Sequence, residues 1–291
     1  MQSIKPKNLS AASLGVLSAL SQDIALEKLF TDKVYKAKSL WNSKGSSKAK
    51  LNAFYEVRNT LVAALQWRTS CAYCESNEPG DIEHIFPKSH FPDKTFEWEN
   101  YLYVCKTCNT SYKSDYFAVF DPAGSDNSVE LSRKKIMPPS DDSVFIHQRK
   151  ENPRNYFVLN LQSSIYDIDS SLNNRDLKKA DYTLDILKLN SRDHLLKGRK
   201  NAVKNYMNLL KEYISVKNSA DFNELLNAVG SFPVIDTTAK FKDEKARVLD
   251  SLKKTILELP FPTVWEEMKL QKALFPGIDR LFLIAPEALI W

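Results

Sequence analysis

Cys71-Ala-Tyr-Cys74, then Asp81-Ile-Glu-His-Ile-Phe-Pro-Lys-Ser89, then Cys105-Lys-Thr-Cys108-Asn109-Thr-Ser-Tyr-Lys113 follow one another in a single stretch of this chain. The stretch holds all 4 cysteines of the sequence, in two pairs with no remainder. Each Cys-x-x-Cys is a knuckle offering two thiolates from a tight turn. Two knuckles separated by 30 residues complete a closed shell of four sulfurs, the usual structural zinc site. Paired spacing disfavours the competing reading of four buried or redox-active cysteines. With no open coordination position the zinc cannot activate water, so the predicted role is structural. Its binding would contribute on the order of 10 kcal/mol to folding the segment it closes.

Inside the clamp lie the groups that phosphodiester hydrolysis needs: a base for water and a site for a cation that neutralises charge on the phosphate. The order Asp81-x-Glu83-His84-x-x-Pro87-x-Ser89, then Asn100, then Cys105-x-x-Cys108-Asn109-x-x-x-Lys113 resembles the HNH endonuclease family and its ββα-metal motif, over about residues 70–117. Residue chemistry agrees with the resemblance. On a strand, neighbouring side chains point to opposite faces, which separates a base at His84 from a metal ligand at Glu83. An imidazole of ordinary pKa, about 6.5, is mostly neutral at pH 7. Glu83 suits a hard ion such as Mg2+ or Mn2+, and the Asn109 side-chain carbonyl suits a second ligand from the start of the following helix. The resemblance further implies that Asn100 orients the histidine by hydrogen bonding across the loop. At Lys113 several relatives carry a second metal-binding histidine. An ammonium cannot ligate, and the expectation here is a contact to the scissile or adjacent phosphate. His90, His147 and His194 have no metal-spaced partner and are read as structural, and Phe96 and Trp98 as packing for the hairpin.

The charge map qualifies this picture. The formal net charge is +5, compatible with a nucleic-acid partner but too small to require one. Residues 71–117 carry 8 carboxylates against 4 lysines, whereas residues 1–50 carry 9 lysines against 3 carboxylates. The nuclease-like core is therefore a poor clamp for phosphate, and the grip is expected from elsewhere in the chain or from a partner.

Outward from the core, apolar residues recur at helical intervals in Ser10–Phe30 (Leu14, Leu17, Leu20, Ile24, Leu26, Leu29) and in Leu51–Trp67 (Phe54, Val57, Leu61, Leu65), with a polar loop at 42–48 between them. Asp121–Pro139 holds breakers and predicts irregular structure or short strands. Helical stripes return from Asn173 (Leu177, Ala180, Leu184, Leu187), over His194–Val216 and over Lys240–Leu259. The tail after Pro260 is apolar and aromatic, so it is expected either in the core or docked on a partner. The 291 residues contain no apolar run long enough to span a membrane, and the start, MQSIKPKNLS, shows no signal peptide. A soluble, cytoplasmic protein is expected, in which paired cysteines mean metal rather than disulfides.

Tyr182-Thr-Leu-Asp-Ile-Leu-Lys-Leu-Asn190, with Leu195, Leu196 and Arg199, resembles the helical C-terminal half of Septu-type (PtuB-like) HNH proteins of bacterial anti-phage defence, some of them in retron modules. That resemblance implies an ABC-type ATPase partner, with this chain as the nuclease effector. The fold class is then mainly α with a small ββα-metal insert stapled by a four-cysteine zinc site. Three regions are expected: 1–69 helical, 70–120 the HNH core, and 121–291 an irregular connector with C-terminal helices. DNA is the default substrate, with structured RNA as the second choice. The runner-up function is a non-catalytic zinc adaptor that binds nucleic acid or the ATPase.

Overall fold

A computed structural model describes residues 1–65, 70–76, 78–124, 126–131, 136–229 and 234–291. The chain is mostly helical with short strands, as the sequence predicts. It forms two compact units, one of residues 1–158 with 166–192 and one of residues 159–165 with 193–291. The N-terminal helices, the cysteine-rich segment and the connector thus share one unit, which does not break at residue 69 or 120.

In the first unit, α1 (Ala11–Ala25), α2 (Phe30–Asn42) and α3 (Lys48–Ala64) pack together, and α3 lies on β2 (Tyr101–Val104). Leu17, Leu20 and Ile24 of α1, and Phe54, Val57 and Leu61 of α3, are buried. Leu26 and Leu29 are 80% and 62% exposed because α1 stops at Ala25, although no glycine or proline marks the break. Glu56 of α3 ties the start of α1, accepting from Ser10 N–H at 2.6 Å, Ser10 Oγ at 2.7 Å and Ser13 Oγ at 2.6 Å. At its other end α3 gives way to Leu65, which bridges to Ile4. The expected continuation through Gln66 and Trp67 lies outside the described residues.

The hairpin that carries the chemistry pairs β1 (Asp81–His84) antiparallel with β2, with Glu83 opposite Leu102 and His84 opposite Tyr101. Arg58 of α3 donates to Tyr103 Oη at 2.7 Å, and the Trp98 indole to the Lys7 carbonyl at 3.0 Å, so α3 holds β2 and the N-terminal segment holds the turn that leads into it. Phe96 and Trp98 are buried against it. In the connector, β3 (Ala118–Phe120) pairs with β4 (Ser128–Glu130). Residues 125 and 132–135 of that connector lie outside the described set. Capped by Asn173, α4 (Asn174–Ile186) closes the unit, and its Thr183 hydroxyl accepts from Ile146 N–H at 2.9 Å.

The second unit is built on α5 (Asp193–Asn218), with α6 (Phe222–Ala228), α7 (Phe241–Glu258), α8 (Pro262–Leu270) and α9 (Pro276–Ile284) around it. One face of the apolar tail belongs to its core, whereas Leu270, Leu274, Leu283 and Ile290 are exposed. Trp265 is fully buried among Tyr206, Phe282 and Trp291, at ring-centroid distances of 5.2, 5.5 and 6.3 Å. Phe261 packs so closely on α5 that a Cβ at Gly198 would lie 2.5 Å from its ring, which fixes glycine there. Among the described residues no helix is long and apolar enough to cross a membrane.

Candidate active site

The two knuckles meet as their spacing predicts. The four sulfurs of Cys71, Cys74, Cys105 and Cys108 all lie within 4.8 Å of one another, and all four residues are buried as free cysteines. Cys74 and Cys105 Sγ are 3.8 Å apart. A tetrahedron with Zn–S bonds of about 2.3 Å has an edge of about 3.8 Å, so the cluster fits zinc without rearrangement. Burial pushes the Cys71 thiol up, and such a packed sulfur cluster ionises fully only with a cation in its centre. The first knuckle is held by Ala72, whose N–H donates to the Tyr103 carbonyl at 3.2 Å and whose carbonyl accepts from Gln2 N–H at 3.0 Å and Gln148 Nε2 at 3.0 Å.

Glu83 and His84 leave β1 on opposite faces, yet both line one cleft of about 250 Å³ together with Asn109, Lys88, Asp115 and Trp41. His84 is 5% exposed. Its Nε2 lies 3.0 Å from the Thr95 carbonyl oxygen, and its ring meets the edges of Trp41 and Tyr101 at 4.3 and 5.3 Å between centroids. A carbonyl only accepts, so Nε2 carries the proton and Nδ1 keeps its lone pair. Burial and the charge of Lys88 push the imidazole well below its ordinary pKa, against the pull of the Thr95 carbonyl. The ring is therefore neutral at pH 7.

Glu83 is buried, and burial pushes its carboxyl up to about 7 against the pull of Lys113. Its Oε1 has an ion-pair partner in Lys113 Nζ at 3.3 Å but no good hydrogen bond. Asn109 Nδ2 donates to Asp81 Oδ2 at 3.0 Å, which leaves the carbonyl Oδ1 as the atom able to ligate. The Glu83 carboxylate and the Asn109 side-chain carbonyl are hard oxygen donors of residues lining one cleft, the donor type that fits a divalent ion such as Mg2+.

Two sequence-based expectations change. Lys113 is fully buried, between Glu83 and the rings of Phe117 and Phe145 at 5.4 and 5.5 Å, and it does not line the cleft. Residues Thr107–Lys113 form a π-helix rather than an α-helix, and this wider turn ends with Ser114 in the left-handed region. Its last residue consequently points under β1, where the Lys113 ammonium balances Glu83. Asn100, 1% exposed, does not touch the His84 ring. Its Oδ1 accepts from Phe86 N–H at 2.7 Å, and its Nδ2 donates to the Phe86 and Lys94 carbonyls at 3.0 and 2.9 Å. Asn100 thus clamps the loop after β1, and that loop delivers Thr95 to the histidine.

Thr95, Trp41 and Lys44 carry no sequence signal of their own. Thr95 acts through its backbone carbonyl. Trp41 comes from the end of α2, and Lys44 stands over its indole at 4.7 Å with Lys88 at 6.0 Å. Asp81 is in the motif, but its bond to Asn109 is visible only in three dimensions. His90 and His147 are buried and His194 is exposed, all three outside the cleft lining.

Comparison with curated proteins gives no match to this chain. Residues 71–115 match the family model described as HNH endonuclease. The segment that carries the zinc shell and the Glu83–His84 strand is an HNH endonuclease domain.

Proposed function

We propose that this chain hydrolyses phosphodiester bonds of nucleic acid with His84 as general base, Glu83 and Asn109 as ligands of a catalytic Mg2+ or Mn2+, and Asn100 and Thr95 as the groups that position the histidine. The observation that carries the reading is the convergence of Glu83, His84 and Asn109 on one cleft, with His84 held as the Nε2–H tautomer. His84 Nδ1 takes a proton from water as the water oxygen attacks phosphorus, and the bond from phosphorus to the leaving oxygen breaks. A divalent ion, when bound, supplies positive charge to the phosphate and the leaving oxygen. Thr95 prevents the ring from turning its lone pair away. Lys113 favours the ionised form of Glu83 against the effect of burial and holds it in place, which is a positioning role rather than a phosphate contact.

Lys44, from outside the acidic core, joins Lys88 of that core at the Trp41 indole, which supports duplex DNA, or a structured RNA, lying across Trp41 with its phosphates facing these ammoniums. The likeness of Tyr182–Asn190 to Septu-type proteins supports a place in an anti-phage defence complex beside an ABC-type ATPase. The apolar tail is divided: Phe261, Val264, Trp265, Met268, Ile278 and Phe282 are buried in its own unit, and Leu270, Leu274, Leu283 and Ile290 are exposed. The experiment is incubation of zinc-loaded chain, alone and with an ABC-type ATPase encoded beside it, with DNA and RNA panels and Mg2+ or Mn2+. Metal-dependent cleavage supports the reading, with activity low for the isolated chain and raised by the ATPase. Binding without cleavage under every condition favours a zinc adaptor instead.

A further inference from the structure

Arg192 lies 84 residues beyond Cys108 in sequence, outside the segment matched by the HNH family model, and directly before α5. It is 5% exposed. Its Nη1 and Nη2 lie 3.5 and 3.7 Å from Cys108 Sγ, so both arms of the guanidinium address one sulfur. The plane of the group rests on Tyr112 of the π-helix, 4.4 Å from ring centroid to Cζ. Among the described residues it pairs with no carboxylate. The buried cation therefore has the cysteine cluster as its counter-charge, an arrangement that is unfavourable unless the sulfurs are ionised.

We propose that Arg192 is a positioning residue of the zinc centre, a two-armed N–H donor to the Cys108 thiolate that offsets the centre's negative charge and fixes the backbone from which Asn109 projects. Four thiolates around one divalent ion leave a surplus of negative charge, and in a buried shell that surplus needs a cation that cannot shed its proton. Arginine meets both conditions, whereas lysine would bring one compact charge and no fork. Charge-assisted N–H bonds to a metal-bound sulfur draw electron density from it and restrict its motion. Asn109 is the next residue after Cys108, so whatever loosens this sulfur loosens a proposed ligand of the catalytic ion. The inference rests on the cysteines holding zinc, but not on the nuclease reading.

The test uses the full chain as wild type, Arg192→Lys and Arg192→Met. Zinc per chain is measured first, then the rate of zinc release to excess EDTA with a chromogenic chelator, then the sulfur-to-metal charge-transfer band after exchange to Co2+. The expected result is one zinc in wild type, release about tenfold faster or more in Arg192→Met, an intermediate rate in Arg192→Lys, and a shifted cobalt band in both. Should Arg192→Met not fold, Arg192→Lys keeps the charge and must still release zinc faster than wild type. Release rates and cobalt spectra identical to wild type in the folded variants would overturn the proposal while leaving the zinc site standing. Wild type without zinc would overturn both.

Discussion

The Nε2 of His84 donates to the carbonyl oxygen of Thr95 across 3.0 Å, and that bond decides which nitrogen of the ring can act as a base. The Thr95 carbonyl also accepts from Tyr101 Oη at 2.7 Å, so the acceptor itself is fixed. Behind it stands Asn100, whose three bonds close the loop between β1 and β2. The chemistry of one side chain thus depends on a loop whose own side chains never touch the reacting atoms.

Asn100→Ala should therefore cost both stability and activity. It leaves the Phe86 N–H and the carbonyls of Phe86 and Lys94 without their buried partner, a loss of about 2–4 kcal/mol. Denaturant unfolding would give the stability change, and the zinc content of the folded fraction should stay at one per chain. An unchanged midpoint would show that the clamp is dispensable.

Lys44→Ala and Lys88→Ala should weaken nucleic-acid binding while leaving zinc content and fold intact. Measured by fluorescence anisotropy on a cleavage-inactive background, each should lower the slope of log K against log salt by about one. Lys113→Met should behave differently. Its target is buried Glu83, so the expected effect is a higher requirement for the catalytic ion with the salt slope unchanged.

The buried histidines should lower the stability of the first unit as pH falls. Glu83 contributes in the opposite sense, because its carboxyl, raised to about 7, takes up its proton more readily in the folded chain. His84, His90 and His147 are buried, and burial holds each below its ordinary pKa, His147 at about 4. The unfolded chain takes up protons at these rings below pH about 6.5 while the folded chain does not, so stability present at pH 7 is lost progressively as pH falls. For His147 the loss is on the order of 3 kcal/mol between pH about 6.5 and 4. Thermal melts of wild type and His147→Phe across that range check it: the variant should lose less stability than wild type between pH 7 and 4, and identical pH dependences in the two proteins would contradict the account.

The cysteine spacing made the zinc shell legible in the sequence, since a knuckle is a local turn and two of them leave one way to close. Glu83, His84 and Asn109 were legible for the same reason, as short spacings on a strand and a helix start. What was hidden is what arrives from far away or through the backbone: Trp41 from α2, the Thr95 carbonyl, and Arg192 at the end of the first unit. Lys113 shows a different limit. Its spacing placed it near the strand, but a π-helical turn sends it beneath the cleft instead of into it. In the fold, Leu26 and Leu29 continue the helical pattern of α1 without joining its core, because periodicity does not reveal where a helix ends.

The central claim is that His84 removes the proton from the attacking water. The most direct measurement compares wild type with His84→Asn, matched for zinc content and melting temperature, in single-turnover cleavage of DNA and RNA with Mn2+, with and without an ABC-type ATPase. The account predicts a rate lower by about a hundredfold or more in the variant, with nucleic-acid affinity unchanged. Equal rates in the two proteins would contradict it.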